Sequence, residues 1–237
     1  MNKPKIYIPS YNRSGVIRTH KLPWLNGFDW VIVVHNKAQA EEYIYGGIPR
    51  NRILIAGVPI GMVPMRQFIR DLHANGEWYI NIDDNVRELQ VVKSGFYEEP
   101  FMKKAYPKNF IRYDKEFRKI YENVETSHSR VWEIIQEMIN ICDREGIYYA
   151  GFASQDNYFF RRTKWMFTSY VKGKFILVKK DSRVQYDRAI NCMDDYQFTA
   201  DNLRVFGKVL VNGYVYPKAG HYEPGGCGEY RERVDQK

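Results

Sequence analysis

Short runs of β-branched and aromatic residues alternate along the first half of the chain with stretches whose apolar positions recur at helical spacing. Residues 5–9, 30–35, 52–56 and 78–82 are apolar runs bounded by polar or glycine-containing loops, and they predict four strands. Residues 37–45 predict a short helix closed by Gly46-Gly47. A second helix is predicted to begin at Pro64, with Met65, Phe68, Ile69 and Leu72 as its buried stripe and Gly76 ending it. Arg66 falls off that stripe, in the first turn, where it either reaches over the sheet edge towards a phosphate or lies on a solvated face.

The second half continues the alternation. Val131, Ile134, Ile135, Met138 and Cys142 predict an amphipathic helix ended by Gly146, and residues 148–152 a strand. Residues 165–170 and 175–178 predict a hairpin turned at Lys172-Gly173. Asp194, with Gln197 three residues on, reads as the capping box of a helix whose inner face is Tyr196, Thr199, Ala200 and Leu203, and Gly207 closes it. Residues 208–216 predict a last strand. Strands and helices alternating at these intervals predict an α/β fold. One domain, 1–237, is expected: a nucleotide-binding half over 1–90, an insertion over 91–130, and an acceptor-binding half with a C-terminal tail over 131–237.

Residues 77–85, Glu-Trp-Tyr-Ile-Asn-Ile-Asp-Asp-Asn, run from an apolar strand straight into two carboxylates and an amide. Asp83 and Asp84 therefore stand where a strand ends, the edge at which open α/β sheets hold ligands. Adjacent carboxylates repel unless a cation lies between them and a ligand, and Mg²⁺ or Mn²⁺ takes such oxygen donors. Taken alone, the same residues are also an ordinary turn. The first strand ends in the polar loop Ser10-Tyr11-Asn12-Arg13-Ser14-Gly15, whose hydroxyl, amide and guanidinium suit a nucleotide and suit a turn equally. His221, preceded by glycine and lying just beyond the last strand, becomes a metal ligand only if the fold links it to Asp83 or Asp84.

Composition narrows the partner. A chain of 237 residues with 44% hydrophobic content has material for a sizeable core, and a net charge of +8 favours an anionic partner. Between residues 101 and 121 aromatics interleave with Lys103, Lys104, Lys108 and Arg112, and Tyr113 follows directly. Such a segment offers nucleic acid both charge neutralisation and stacking, and reads equally as a covering segment with a solvated basic face. Cys142, Cys192 and Cys227 are widely spaced and in no Cys-x-x-Cys pattern, which argues for reduced thiols and against thiolate zinc. With no signal peptide and no apolar run of membrane-spanning length, a cytoplasmic protein is expected.

Ile6-Tyr-Ile-Pro-Ser-Tyr-Asn-Arg13, Gly61-Met-Val-Pro-Met-Arg66 and Gly76-Glu-Trp-Tyr-Ile-Asn-Ile-Asp-Asp-Asn85 together resemble the nucleotide-binding half of GT-A glycosyltransferases. More narrowly, the chain is similar to the phage-borne TET-associated glycosyltransferases, which place sugar on 5-hydroxymethylated pyrimidines in DNA. The likeness runs through Asn85, is partial around Asp194 to Gly207 and at His221, and is poor between. It implies a GT-A (Rossmann-like) central mixed sheet flanked by helices, with an inserted basic and aromatic segment. It also implies a UDP-sugar donor, glucose, with Mn²⁺ or Mg²⁺ as cofactor. The implied acceptor is DNA containing hydroxymethylated pyrimidines, at the hydroxyl of 5-hydroxymethylcytosine, with inversion at the sugar.

Carried over position by position, Pro9, Ser10, Tyr11 and Arg13 border the uridine and its phosphates. Arg66 faces the diphosphate or donor sugar, and Asp83 the ribose or sugar. Asp84 and Asn85 meet the metal, whose shell His221 completes, and Asp194 or Asp195 supplies the catalytic base. Asn85 departs from the family pattern, which ends in a carboxylate; an amide oxygen ligates without charge, so either Asp84 carries the metal or the site is weaker than usual. Two alternatives keep the residues and change the function. One is a GT-A transferase with a protein, glycan or small-molecule acceptor, and the other a non-catalytic nucleic-acid-binding module. Neither a membrane nor an obligate protein partner is expected.

Overall fold

The computed structural model of the chain describes residues 2–92, 121–123, 128–154, 162, 164–190 and 193–220. Its first strand, β1 (Lys5–Pro9), lies between β2 (Trp30–Val34) and β4 (Trp78–Ile82), parallel to both, and β3 (Ile53–Ile55) pairs parallel with β2. All five residues of β2 are buried, as expected of a parallel strand covered on both faces. Beyond β4 the sheet turns mixed. β9 (Phe175–Lys179) runs antiparallel between β4 and β7 (Tyr149–Phe152), β10 (Leu210–Asn212) is parallel to β7, and β8 (Trp165–Met166) is antiparallel to β10. Among the described residues the sheet order is β3-β2-β1-β4-β9-β7-β10-β8. A smaller sheet, β11-β5-β6, joins β5 (Val86–Val92) to β11 (Val215–Ala219) and β6 (Tyr121–Asn123).

Helices cover both faces. α2 (Met62–Asp71) and α4 (Asp194–Phe206) lie on one, where Val63, Met65, Ile69 and Phe198 share a core with Tyr7, Tyr79 and Tyr149. α3 (His128–Glu145) lies on the other, where Val131, Ile135, Met138 and Cys142 meet Ile6, Ile80, Leu177 and the short turn carrying Trp24. α1 (Lys37–Tyr45) follows β2, and Asn36 caps it by accepting from the Gln39 amide at 3.0 Å. Among the described residues no helix is long and apolar enough to cross a membrane.

Three expectations need correction. Residues 165–166 and 175–179 are both strands, but β8 pairs with β10 and β9 inserts between β4 and β7, so they form no hairpin. Local spacing cannot distinguish a turn from a crossover; the four apolar residues of β9, Phe175 to Val178, find larger burial in the middle of the sheet. The expected last strand divides at Gly213-Tyr214 into β10 and β11, which belong to different sheets. Finally, α2 begins two residues before Pro64, which sits in the first turn where its missing N–H is equally harmless.

Candidate active site

β1, β2 and β4 are parallel, so Ser10, His35 and Asp83 leave the sheet at one edge. β9 enters at that edge: Phe175 lies opposite Ile82, and the Asp83 amide donates to the Lys174 carbonyl at 3.0 Å. The loop through Gly173 is thereby a wall beside the two aspartates.

Asp84 turns inward. Arg13 Nη1 lies 2.5 Å from its Oδ1, and Ser10 Oγ donates to its Oδ2 at 2.5 Å. The Tyr43 hydroxyl, on α1, lies 2.5 Å from the same Ser10 Oγ and accepts from the Arg13 amide at 3.1 Å. Burial pushes that phenol up to about 12, so it serves as a neutral bridge. Thr19 braces the aspartate turn from below: its Oγ1 donates to the Asp83 carbonyl at 2.5 Å and accepts from the Val86 amide at 2.9 Å. No local signal marks Thr19 or Tyr43 in the sequence, because each acts on residues far away in the chain.

Arg66 is not on a solvated face: it is 3% exposed. Its Nη1 lies 2.5 Å from Asp194 Oδ2, and its Nη2 donates to the Gly173 carbonyl at 3.1 Å and lies 3.5 Å from Asp83 Oδ1. Burial opposes its charge, but Asp194 and then Asp83 outweigh this and hold its pKa well above the ordinary value. The apolar stripe misleads here because Arg66, Gln67 and Arg70 are buried with Met65 and Ile69, while Leu72 is 47% exposed. Polar partners from other elements turn the helix onto a face that its hydrophobic residues alone do not choose. A Cβ at Gly173 would meet Arg66 Nη1 at 2.9 Å and Cζ at 3.1 Å, so any side chain there makes the buried guanidinium shift.

The capping box at Asp194 is also not formed. Met193, in a left-handed conformation (φ 63°), occupies the N-cap position, and Asp194 spends its carboxylate on Arg66. The Gln197 amide reaches the Gln185 carbonyl at 3.0 Å and the Asp201 carboxylate. The inner face of α4 is Asp194, Phe198, Thr199 and Asn202, with Tyr196 and Ala200 exposed. Asp195 is oriented by the Gly173 amide, which donates to its Oδ2 at 3.1 Å, and by the Tyr196 amide, which donates to its Oδ1 at 3.0 Å. The Tyr170 hydroxyl also hydrogen-bonds Asp195; burial first, then that bond and the carboxylate's charge, raise the phenol far above its usual range.

The remaining residues divide. Pro9 is buried in β1, and Tyr11 meets His35 edge-on with ring centroids 5.5 Å apart. Burial lowers the pKa of His35, which favours the neutral ring. Asn85 Nδ2 donates to the Gly220 carbonyl at 2.7 Å, and its Oδ1 is buried without a partner. His221, Lys103, Lys104, Lys108, Arg112 and Tyr113 lie outside the described residues.

Four carboxylates, Asp83, Asp84, Asp194 and Asp195, thus gather at one edge with two guanidiniums, Arg13 and Arg66. The imbalance shows at Asp83. Burial pushes its carboxyl up to about 6, with Asp84, Asp194 and Asp195 adding to the shift and Arg66 opposing it. Among the described residues no three His, Cys, Asp or Glu side chains converge as a metal site. A Mg²⁺-type ion would ask for less than such a cluster: one or two carboxylates, with water and substrate phosphate completing its shell. The unpartnered Asn85 Oδ1 offers a further oxygen.

No protein-family profile matches the chain, and no curated protein matches it in sequence. Among solved structures it is similar to S. aureus TarS 1–349, a GT-A-type glycosyltransferase, with a TM-score of 0.50 at 12% identity. The fold is that of a GT-A glycosyltransferase. The match covers 92% of this chain but spans only 60% of the TarS chain. α4 brings Asp194 and Asp195 to the edge that carries Asp83 and Asp84.

Proposed function

We propose that this chain is a metal-dependent glycosyltransferase moving glucose from UDP-glucose to the hydroxymethyl oxygen of 5-hydroxymethylcytosine in DNA, with inversion. The observation that carries the transferase reading is the junction of the two aspartate pairs: Arg66 and Gly173 tie Asp83 at the end of β4 to Asp194 and Asp195 at the start of α4. Donor and acceptor rest on the resemblance of the first 85 residues and on the net charge of +8, which suits a polyanion.

In this reading the Ser10–Arg13 loop and the Tyr11–His35 edge flank the uridine. Asn85 Oδ1 and a carboxylate of the Asp83–Asp84 pair would hold Mn²⁺ or Mg²⁺, which when bound neutralises charge growing on the departing diphosphate. Arg66 keeps a fixed positive charge beside the same position without reorganising during the reaction. The acceptor oxygen attacks the anomeric carbon, the bond from that carbon to the diphosphate oxygen breaks with its electron pair leaving on UDP, and the acceptor proton passes to Asp195. Asp194 is unsuited to that task because Arg66 already neutralises it and its side chain is only 10% exposed.

The test is release of UDP from UDP-glucose by purified protein, with Mn²⁺ or without, in the presence of unmodified or 5-hydroxymethylcytosine-containing DNA. Metal-dependent release stimulated only by the modified DNA is the expected result. Release indifferent to DNA would move the acceptor to a glycan, protein or small molecule, and no release from any nucleotide sugar would overturn the enzyme reading.

A further inference from the structure

Beside Asp195 lies a surface that the donor reaction does not use. Tyr196 stacks on Tyr170 with ring centroids 3.8 Å apart and planes 14° from parallel. Tyr170 covers one face of the Tyr196 ring, yet Tyr196 is 55% exposed, so the other face is open to solvent. Met193, 61% exposed, stands three residues before it on a left-handed backbone that a methionine adopts only when the surroundings enforce it. An exposed tyrosine and methionine at the start of one helix have no use in core packing. Both residues flank the carboxylate to which the acceptor proton goes, and the hydroxyl of the supporting Tyr170 is bonded to that carboxylate.

We infer that the open face of Tyr196 is the acceptor platform, on which a pyrimidine base extruded from DNA stacks so that its hydroxymethyl oxygen reaches Asp195. This rests on the transferase reading above and narrows its acceptor to a flat aromatic ring. An extruded base offers a π-face, which matches one open tyrosine ring beside the proposed proton acceptor, and the phosphates around it suit a chain of net charge +8. Tyr170 has a supporting role: stacked beneath Tyr196 and bonded to Asp195, it couples the position of the platform to that of the base.

The test uses the full chain, UDP-glucose, Mn²⁺ and single-stranded oligonucleotides. In one oligonucleotide the target is 5-hydroxymethylcytosine, and in another the fluorescent analogue pyrrolo-cytosine, whose emission falls when it stacks. Tyr196→Ala is expected to raise the KM for the modified oligonucleotide roughly tenfold or more and to remove the quenching. Tyr196→Phe and Tyr196→Trp, which keep a flat ring, restore both. Tyr45→Ala, at the far end of α1 and 96% exposed in the native chain, controls for loss of a surface tyrosine and leaves the KM unchanged. Quenching and KM at wild-type levels in Tyr196→Ala would overturn the platform while leaving the DNA acceptor standing. Metal-dependent UDP release by the wild type without any quenching or DNA transfer would instead overturn the nucleobase acceptor, and a saccharide acceptor whose KM depends on Tyr196 would reassign the platform to sugar stacking.

Discussion

Arg66 on α2 and Asp194 on α4, 128 residues apart in sequence, meet at 2.5 Å with side chains 4% and 10% exposed. The pair fastens the helix between β3 and β4 to the helix that carries the proposed base. Removing one partner of a buried ion pair leaves an uncompensated charge, which commonly costs about 3–5 kcal/mol. Arg66→Met and Asp194→Leu should each lower the urea unfolding free energy by that order, and the double variant should lose less than the sum of the two. Strict additivity in that cycle would contradict direct coupling.

Gly173 sits against the same guanidinium. Gly173→Ala places a Cβ about where Arg66 must lie, and an overpacked contact of this kind costs about 1–3 kcal/mol. Gly15→Ala, where a Cβ meets nothing within 4 Å, should stay within about 0.5 kcal/mol of the parent. Chemical denaturation of both variants checks the contrast.

The two adjacent aspartates should separate by role. Asp195→Asn keeps an oxygen for the Gly173 amide but removes the proton acceptor, so transfer should slow by about 10²- to 10⁴-fold with little change in stability. Asp194→Asn should act mainly through stability, by discharging the partner of Arg66. Single-turnover kinetics together with urea midpoints distinguish the two; a stable Asp195→Asn protein with parental turnover would exclude it as the base.

Stability should fall in alkali. Burial pushes the Cys142 thiol and the Tyr7 phenol up to about 12 each, with Asp143 adding at the thiol and Asp29 and Glu77 at the phenol. Unfolded, these groups titrate near about 8.5 and about 10. Folding favours their neutral forms, so the stabilisation is complete below the unfolded values and is lost as pH rises towards 12. The urea midpoint should decline from about pH 8.5 upward, and Cys142→Ala should flatten the first part of that decline. An unchanged slope in the variant would show that Cys142 is not the titrating group.

Much of this architecture is legible in the chain. β1, β2 and β4 are apolar runs whose residue types suit a pleated, covered surface, and the carboxylates of Asp83 and Asp84 follow the last of them. Because parallel strands expose their ends together, that local order suffices to place Ser10 and Asp83 on one edge. The stripe of α3 and the glycines after α3 and α4 are equally local in cause, since periodicity and left-handed backbone need no distant partner.

What the tertiary structure alone decided is which polar groups are buried and against what. Arg66 reads as a surface residue from its helix position, and becomes an interior one because Asp194, Asp83 and the Gly173 carbonyl compensate its charge. Asp194 reads as a cap, and instead takes the stronger, charge-assisted partner brought to it by the fold. Thr19 and Tyr43 give no sign of their place around the aspartate turn, and the loop at Gly173 reads as a hairpin although it lines the site. Apolar burial follows from a residue's own nature and its spacing. The value of a buried charge or hydrogen bond depends on a partner whose position the whole chain must fold to supply.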